Sequence, residues 1–317
     1  MKKILQYIYQ ILYKTKLPKT TSIDFKLIED LRSEVKNISP IITDNLTGAE
    51  LEWSNNVNII IKNILNENPR EFLSWDVVLK TMFVVRAKYI SIELNVIKKS
   101  SYYKEIWKKA LLENKIGRPT LYWKYPKSSG NLIHHLYHLL KYKEFSNIDY
   151  SKLEIVFEFG GGYGSMCRLL HNCGFNKKYI IFDLPVFGAI QKFYLKSLGI
   201  KVLRPNEYLT SESGVICISD FEELVKIFQN ISEQKSKLFI GTWSFSETPI
   251  EFRKSFIPII SNFNFHLIAY QKNFNEANNI NYFNQFTSEI KKSKWVNFEI
   301  EHLKKSYYLF GSDDSEI

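Results

Sequence analysis

The sequence predicts an α/β chain: a doubly wound, largely parallel sheet with an antiparallel edge over residues 150–317, behind a helical region over residues 1–149. Three observations carry this expectation. Before residue 150 the apolar residues recur mainly at helical spacing. Beyond it, short apolar runs alternate with amphipathic stretches, the pattern of strands joined by crossover helices. The last two apolar runs then follow each other with no helix between them, which suits an antiparallel pair at one edge.

Taken in order, Val57, Ile60, Ile61, Ile64 and Leu65 share one helical face, and Asn68-Pro69 stops that helix. Ser74 is a candidate N-cap for a long helix through Leu79, Phe83, Ala87 and Ile90. Residues 102–112 and 131–142 read as further helices. Gly117-Arg118-Pro119 and the stretch Pro126 to Gly130 read as loops. Strands are expected over 155–159, 179–182, 215–218, 238–241, 265–270, 295–300 and 306–310, with Val202-Leu203 a further candidate. Helices are expected over 165–171, 186–198, 221–231 and 252–260.

Composition sets the class and excludes others. With 45% apolar and 24% charged residues the chain reads as globular, and 317 residues can bury a sizeable core. The net charge of +10 suits RNA, an anionic membrane or an acidic substrate, but the lysines are scattered. A solvated basic surface is therefore the reading taken, and a nucleic-acid partner is not expected. Cys167, Cys173 and Cys217 cannot build a disulfide framework, which suits a reducing, cytoplasmic compartment. No metal site is expected. Lys2 and Lys3 precede an apolar stretch in which Ile4, Ile8, Ile11 and Leu12 share a helical face. That segment is too short to span a bilayer. It either packs on the body, the reading taken, or lies on the inner membrane face as a peripheral anchor. The acidic tail from Gly311 (Asp313, Asp314, Glu316) is expected to fray.

The chemistry concentrates at Ile155-Val156-Phe157-Glu158-Phe159-Gly160-Gly161-Gly162-Tyr163-Gly164-Ser165. A strand running into glycines and then a helix lets a ligand approach the backbone at the carboxyl end of a sheet. Dinucleotide enzymes use the same turn, but they place Gly or Ala where Ser165 stands. A carboxylate at Glu158 would also repel a pyrophosphate, whereas it would attract an ammonium. Asp183, nineteen residues past Gly164, closes the second strand and is placed either to bind ribose hydroxyls or to cap the next helix.

These residues resemble those of class I S-adenosylmethionine-dependent methyltransferases, through the Glu-x-Gly-x-Gly-x-Gly turn and the strand ending at Asp183. The step Phe182-Asp183-Leu184-Pro185 is similar to that of small-molecule O-methyltransferases. The Thr242 to Pro249 segment and the Tyr270 to Phe283 region resemble bacterial sugar O-methyltransferases of surface polysaccharide synthesis. The resemblance implies a Rossmann-like class I fold, S-adenosyl-L-methionine as cofactor, and a sugar or nucleotide-sugar hydroxyl as acceptor. It implies that Glu158, Gly160, Gly162, Tyr163 and Gly164 hold the methionine end and that Asp183 and Leu184 meet the ribose. The residue near the adenine is Asp220, the reading taken, or else Asn206 and Glu207 after Val202-Leu203, with helix capping as the alternative role for Asp220.

A sugar hydroxyl is barely acidic, so a general base is expected. Glu247 follows the fourth strand and is the first candidate, against its reading as a surface carboxylate. His134 and His138 share a helical face and form the second set. Trp243 either stacks on a sugar or packs in the core, and Tyr270 and Asn281 are candidate acceptor contacts. The helical region is expected to cap the sheet or form a homodimer. The rival readings are a nicotinamide-dependent sugar oxidoreductase, a non-catalytic scaffold and an RNA methyltransferase.

Overall fold

A computed structural model describes residues 8–9, 11–42, 48–231 and 236–313. Two compact units interleave along the chain. One comprises Met1–Tyr137, Gly162–Asn172 and Ala189–Ile200; the other comprises His138–Gly161, Cys173–Gly188 and Lys201–Ile317.

The second unit holds the expected sheet. Its strands are β1 (Ile155–Phe159), β2 (Lys178–Phe182), β3 (Gly214–Ile218), β4 (Lys237–Thr242), β5 (Phe265–Gln271), β6 (Ser293–Glu299) and β7 (Ser306–Asp313), in the spatial order β6-β7-β5-β4-β1-β2-β3. The five strands from β3 to β5 run parallel, with Glu158 opposite Ile181 on one side and Ile240 on the other. β7 pairs antiparallel with both β5 and β6. The chain therefore forms the doubly wound Rossmann-like sheet of a class I fold with an antiparallel edge. The order reverses between β1 and β4, and ligands of such sheets bind outside the carboxyl ends of the strands at that point.

Burial on both faces explains why β1 to β5 are nearly continuous apolar runs. One face packs an aromatic core. Phe157 lies with Phe239 at 5.5 Å and Phe159 with Phe256 at 5.0 Å between ring centres, and Phe245, Tyr282, Phe283 and Phe286 continue it. Removing one such ring costs ~3–5 kcal/mol.

The first unit is mainly helical. It contains α1 (Ser22–Lys36), α2 (Gly48–Asn66), α3 (Ile90–Lys99), the start of α4 (Gly130–Ser146), α5 (Ser165–Asn172) and most of α6 (Pro185–Ser197). Thr21 and Asp24 close a capping box on α1. α7 (Phe221–Asn230) and α8 (Asn279–Glu289) belong to the sheet unit.

Several expectations are corrected. The long helix from Ser74 to Ile90 is interrupted: a helix spans Asp76–Thr81 with Trp75 at its N-cap, and the next begins at Ile90. Between them the amide of Val84 donates to Asn131 Oδ1 at 3.2 Å, so a side chain replaces the helical acceptor. Residues 102–112 form a π-helical turn, Tyr103–Trp107, running into Lys108–Ala110. The stretch Pro126 to Gly130, expected as loop, instead lies largely in a strand, Tyr125–Ser129, that pairs with Leu121–Tyr122. Val202 makes an isolated bridge to Val215 rather than a strand. Residues 250–260 split into two short helices because Pro258 lacks the amide that would continue the first.

At the N-terminus Tyr9 is buried, but Ile8, Ile11 and Leu12 are exposed rather than packed on the body. Lys2, Lys3 and Ile4 lie outside the described residues, as do Asp314 and Glu316. The frayed tail does not begin at Gly311, since Gly311 to Asp313 complete β7, where the Asp313 amide donates to Asn264 O at 2.8 Å. Among the described residues no helix is long and apolar enough to cross a membrane.

Candidate active site

The carboxyl end of β1 enters the glycine turn through Gly160, whose amide donates to Phe182 O at 2.8 Å. Gly160 has φ 73°, and a Cβ there would stand 2.1 Å from the Ser244 Cβ. A Cβ on Gly161 would meet Ile181 Cγ2 at 2.6 Å. Both positions therefore need glycine, the first for its dihedral and both for space. Ser244 Oγ donates to Gly160 O at 3.2 Å, so the turn after β1 touches the turn after β4.

Glu158 is 3% exposed, and its Oε2 accepts the Tyr179 hydroxyl at 2.8 Å. Burial pushes this carboxyl up to about 8; the Tyr179 hydrogen bond opposes that rise and the Asp183 charge adds to it. Asp183 follows β2, and its Oδ1 accepts the Leu184 amide at 2.8 Å. That amide lies ahead of Pro185, where α6 begins, so this bond is not the usual N-cap bond to N2 or N3. Leu184 is exposed beside it. A buried carboxyl that burial keeps largely protonated near neutral pH, with a second carboxylate on the adjacent strand end, suits a ligand that brings a cation and hydroxyl donors. Asp220 takes the alternative reading: its Oδ1 caps α7 by accepting the Glu223 amide at 2.8 Å.

The rest of the glycine turn belongs to the helical unit. Gly162 and Gly164 have φ of 55° and 89°. Gly162 O accepts from Gln191 at 3.0 Å. Tyr163 is buried with its ring 5.1 Å from that of Tyr194, and its hydroxyl accepts from Asn131 at 3.0 Å. The Tyr163 side chain thus fixes the turn from the protein side.

After β4 the backbone is strained. Trp243 has φ 68° and ψ −63°, the γ-turn conformation that a bulky residue rarely adopts. It is held by its amide, 2.7 Å from Ala269 O, and by its carbonyl, which accepts the Ser246 amide at 2.8 Å and hydroxyl at 2.7 Å. Its ring lies edge-on to His138 at 5.8 Å, and His138 Nδ1 is 2.5 Å from the Tyr308 hydroxyl. Glu247 ends this turn half-buried, its Oε1 accepting from Gln271 at 3.2 Å, and burial raises its carboxyl above the ordinary range.

Two anchors of this turn escaped sequence reasoning. Arg253 is fully buried and donates to Thr248 O, Ser246 O and Asn279 Oδ1 at 2.6–2.7 Å, with its guanidinium 5.0 Å from the centre of the Tyr282 ring. Among the described residues it forms no ion pair. Asn279, also fully buried, donates to Gln271 O at 2.8 Å. Neither carries a local signal: Arg253 stands next to Lys254 and Ser255, and Asn279 lies between Asn278 and Asn281.

In the helical unit His134 is buried with Nδ1 2.9 Å from Glu93 Oε1. Glu93 escaped notice although it occupies a core position of α3, between Ile90, Leu94 and Ile97. His134 is one turn along α4 from Asn131, the residue that binds Tyr163 of the glycine turn. His266 is buried and its Nε2 lies 2.9 Å from Ile260 O, a structural role. Tyr270 is fully buried, 4.3 Å from Phe283 between ring centres, with its hydroxyl donated to Asn297 at 2.9 Å. As placed, it belongs to the core and presents no surface to an acceptor. Asn281 is exposed in the first turn of α8, whose N-cap is Asn278. The stretch from Tyr270 to Phe283 is thus a strand end, a short hairpin and a helix. Among the described residues no group of three or more His, Cys, Asp or Glu is placed to hold a metal ion.

No family model and no curated relative matches the chain. Among solved structures it is similar to the METTL16 MTase domain (8% identity, 92% of this chain and 91% of that one, TM-score 0.39). It is also similar to the N-terminal domain of human METTL16 in complex with SAH (12% identity, 57% and 70%, TM-score 0.37). A third likeness is to the Pnkp1/Rnl/Hen1 RNA repair complex (11% identity, TM-score 0.38), where the match covers 55% of this chain and 41% of the other. The chain thus spans less than half of that matched structure.

Proposed function

We propose that this protein transfers a methyl group from S-adenosylmethionine to a hydroxyl of a sugar or nucleotide-linked sugar. The observation that carries the reading is the pair Glu158 and Asp183, on adjacent parallel strand ends beside a turn that only glycine can make. Glu158 is a buried carboxyl raised to about 8, a group that gains by meeting a cation. It would hold the methionine ammonium, and Asp183 the ribose hydroxyls. The bound cofactor would supply a methyl group on a cationic sulfur.

The chain's own residues supply the rest. The acceptor oxygen takes the methyl group and its proton passes to a base, for which Glu247 stands first: it is desolvated, anchored by Gln271 and located past the carboxyl end of β4. The Trp243 turn shapes the space next to it. Holding donor and acceptor oriented can supply ~7–11 kcal/mol of the barrier. His134, oriented by Glu93, is the second candidate base.

Calorimetric titration with S-adenosylmethionine and with NAD tests the cofactor, and tight binding of NAD alone would overturn the reading in favour of an oxidoreductase. Labelled S-adenosylmethionine offered with nucleotide sugars, surface glycans and RNA tests the acceptor. Transfer to a sugar hydroxyl is expected, and transfer to RNA alone would replace the acceptor class.

A further inference from the structure

We propose that the N-terminal segment and the strand it lies along form a docking face for an anionic membrane surface. The Tyr9 hydroxyl donates to Leu121 O at 2.9 Å and accepts the Trp123 amide at 3.0 Å. Lys14 bridges to Thr120, and the Thr15 amide donates to Pro119 O at 3.1 Å. The segment is therefore pinned at both ends along residues 119–123, with Tyr9 turned inward. Its other apolar side chains are left to solvent: Ile8 is 46%, Ile11 58% and Leu12 70% exposed, and Trp123, whose amide Tyr9 binds, is 48% exposed. Single exposed apolar residues are ordinary, but four on two segments tied through one hydroxyl make a patch.

Charge selects the occupant. No Asp or Glu occurs before Asp24 or between Asn114 and Tyr137, so neither segment carries a carboxylate of its own. Among the described residues, Glu71 and Asp76 of neighbouring elements reach only Lys14 and Arg118 of this face's cations. Lys16, Lys19, Lys124 and Lys127 are exposed there, while Arg118 is engaged by Glu71 at 2.7 Å. Lys124 Nζ lies 5.2 Å from the centre of the Trp123 ring. A tryptophan with an adjacent lysine sits well at headgroup depth, the ring in the interface and the ammonium among phosphates. Apolar side chains entering the acyl boundary beneath a ring of lysines is the arrangement by which peripheral proteins hold acidic bilayers. A polyanion in water would use the lysines and leave Ile11 and Leu12 wet. A second copy would bury the apolar groups and bring like charges together.

The test is co-sedimentation of the full chain with phosphatidylcholine vesicles, with and without phosphatidylserine, in the absence of any methyl donor. It is therefore independent of the methyltransferase reading. Binding is expected only to the acidic vesicles and is expected to weaken as salt is raised. Leu12→Glu and Trp123→Glu should each reduce it about tenfold or more, and Lys124→Ala or Lys16→Ala about fivefold. These side chains are exposed, and unchanged thermal melting should confirm that the variants fold. No sedimentation with acidic vesicles, or binding indifferent to Leu12→Glu and Trp123→Glu, would overturn the proposal. So would a self-association in sedimentation velocity that Leu12→Glu abolishes, which would assign the face to a second copy. RNA retention lost in the lysine variants but not in Leu12→Glu, without vesicle binding, would assign it to a nucleic acid.

Discussion

The hydroxyl of Tyr179 donates to the Glu158 carboxylate across 2.8 Å, from the strand neighbouring the one that carries the glutamate. This bond offsets part of the desolvation of Glu158 and leaves its carboxyl at about 8. A carboxyl raised in the folded state binds its proton more tightly there than in the unfolded chain. Stability is therefore lost as pH rises from the ordinary 4.5 toward 8 and is unaffected below that window.

Glu158→Gln should raise the thermal midpoint of the free protein at pH 8, by the equivalent of about 1–3 kcal/mol, and leave it unchanged at pH 4. The same variant should bind S-adenosylmethionine about tenfold to a hundredfold more weakly, because a charged hydrogen bond is lost. The native protein should release a proton on binding near neutral pH. Titration calorimetry in buffers of different ionisation enthalpy reads that proton directly.

Glu247→Gln should lower kcat by about 10²–10⁴ while leaving cofactor affinity unchanged. Burial raises the Glu247 carboxyl, so the acid limb of the native rate profile should lie above the ordinary carboxylate range and should disappear in the variant. An acid limb that survives in Glu247→Gln would move the role of base to another residue.

His134→Ala leaves the fully buried Glu93 without its imidazole. Leaving a buried hydrogen-bonding group without its partner costs ~1–3 kcal/mol, and urea unfolding should show a loss of that order. Glu93→Gln, which retains a hydrogen-bonding group of the same size, should cost less. Glu93→Gln should also change the protonated ring nitrogen of His134 seen by nitrogen NMR of the imidazole, and it should lower kcat only if His134 rather than Glu247 is the base.

Arg253→Lys keeps the charge but cannot reach Thr248 O, Ser246 O and Asn279 together. The expected loss is about 2–3 kcal/mol of stability, with a fall in kcat that exceeds any change in cofactor affinity. A variant as active and as stable as the native chain would show that the turn after β4 does not depend on this guanidinium.

The strands were legible because burial on both faces leaves an unmistakable apolar signature, and the glycine turn because its dihedrals and close approaches tolerate little else. The placement of Glu158 and Asp183 at neighbouring strand ends was legible from their register with that turn. Contacts between remote side chains were not. Nothing local in Glu93 announces His134, forty-one positions away, or in Arg253 announces Asn279. The interruption after Thr81 was hidden for the same reason, since Asn131 supplies the acceptor from far along the chain. Tyr270 misled because aromatic and amide residues suit a binding loop and a helix-covered core equally. The positive φ of Trp243 has no sequence signature at all, since neither glycine nor asparagine stands there.

That tryptophan has a kinetic meaning. A conformation costing ~1–3 kcal/mol survives only where its surroundings over-determine it. Here an adjacent strand, a serine and a buried arginine do so with protein atoms alone. The entropy of shaping the turn is thus spent when the chain folds, so if the turn receives the acceptor as proposed, capture should be quick and little slowed by rearrangement.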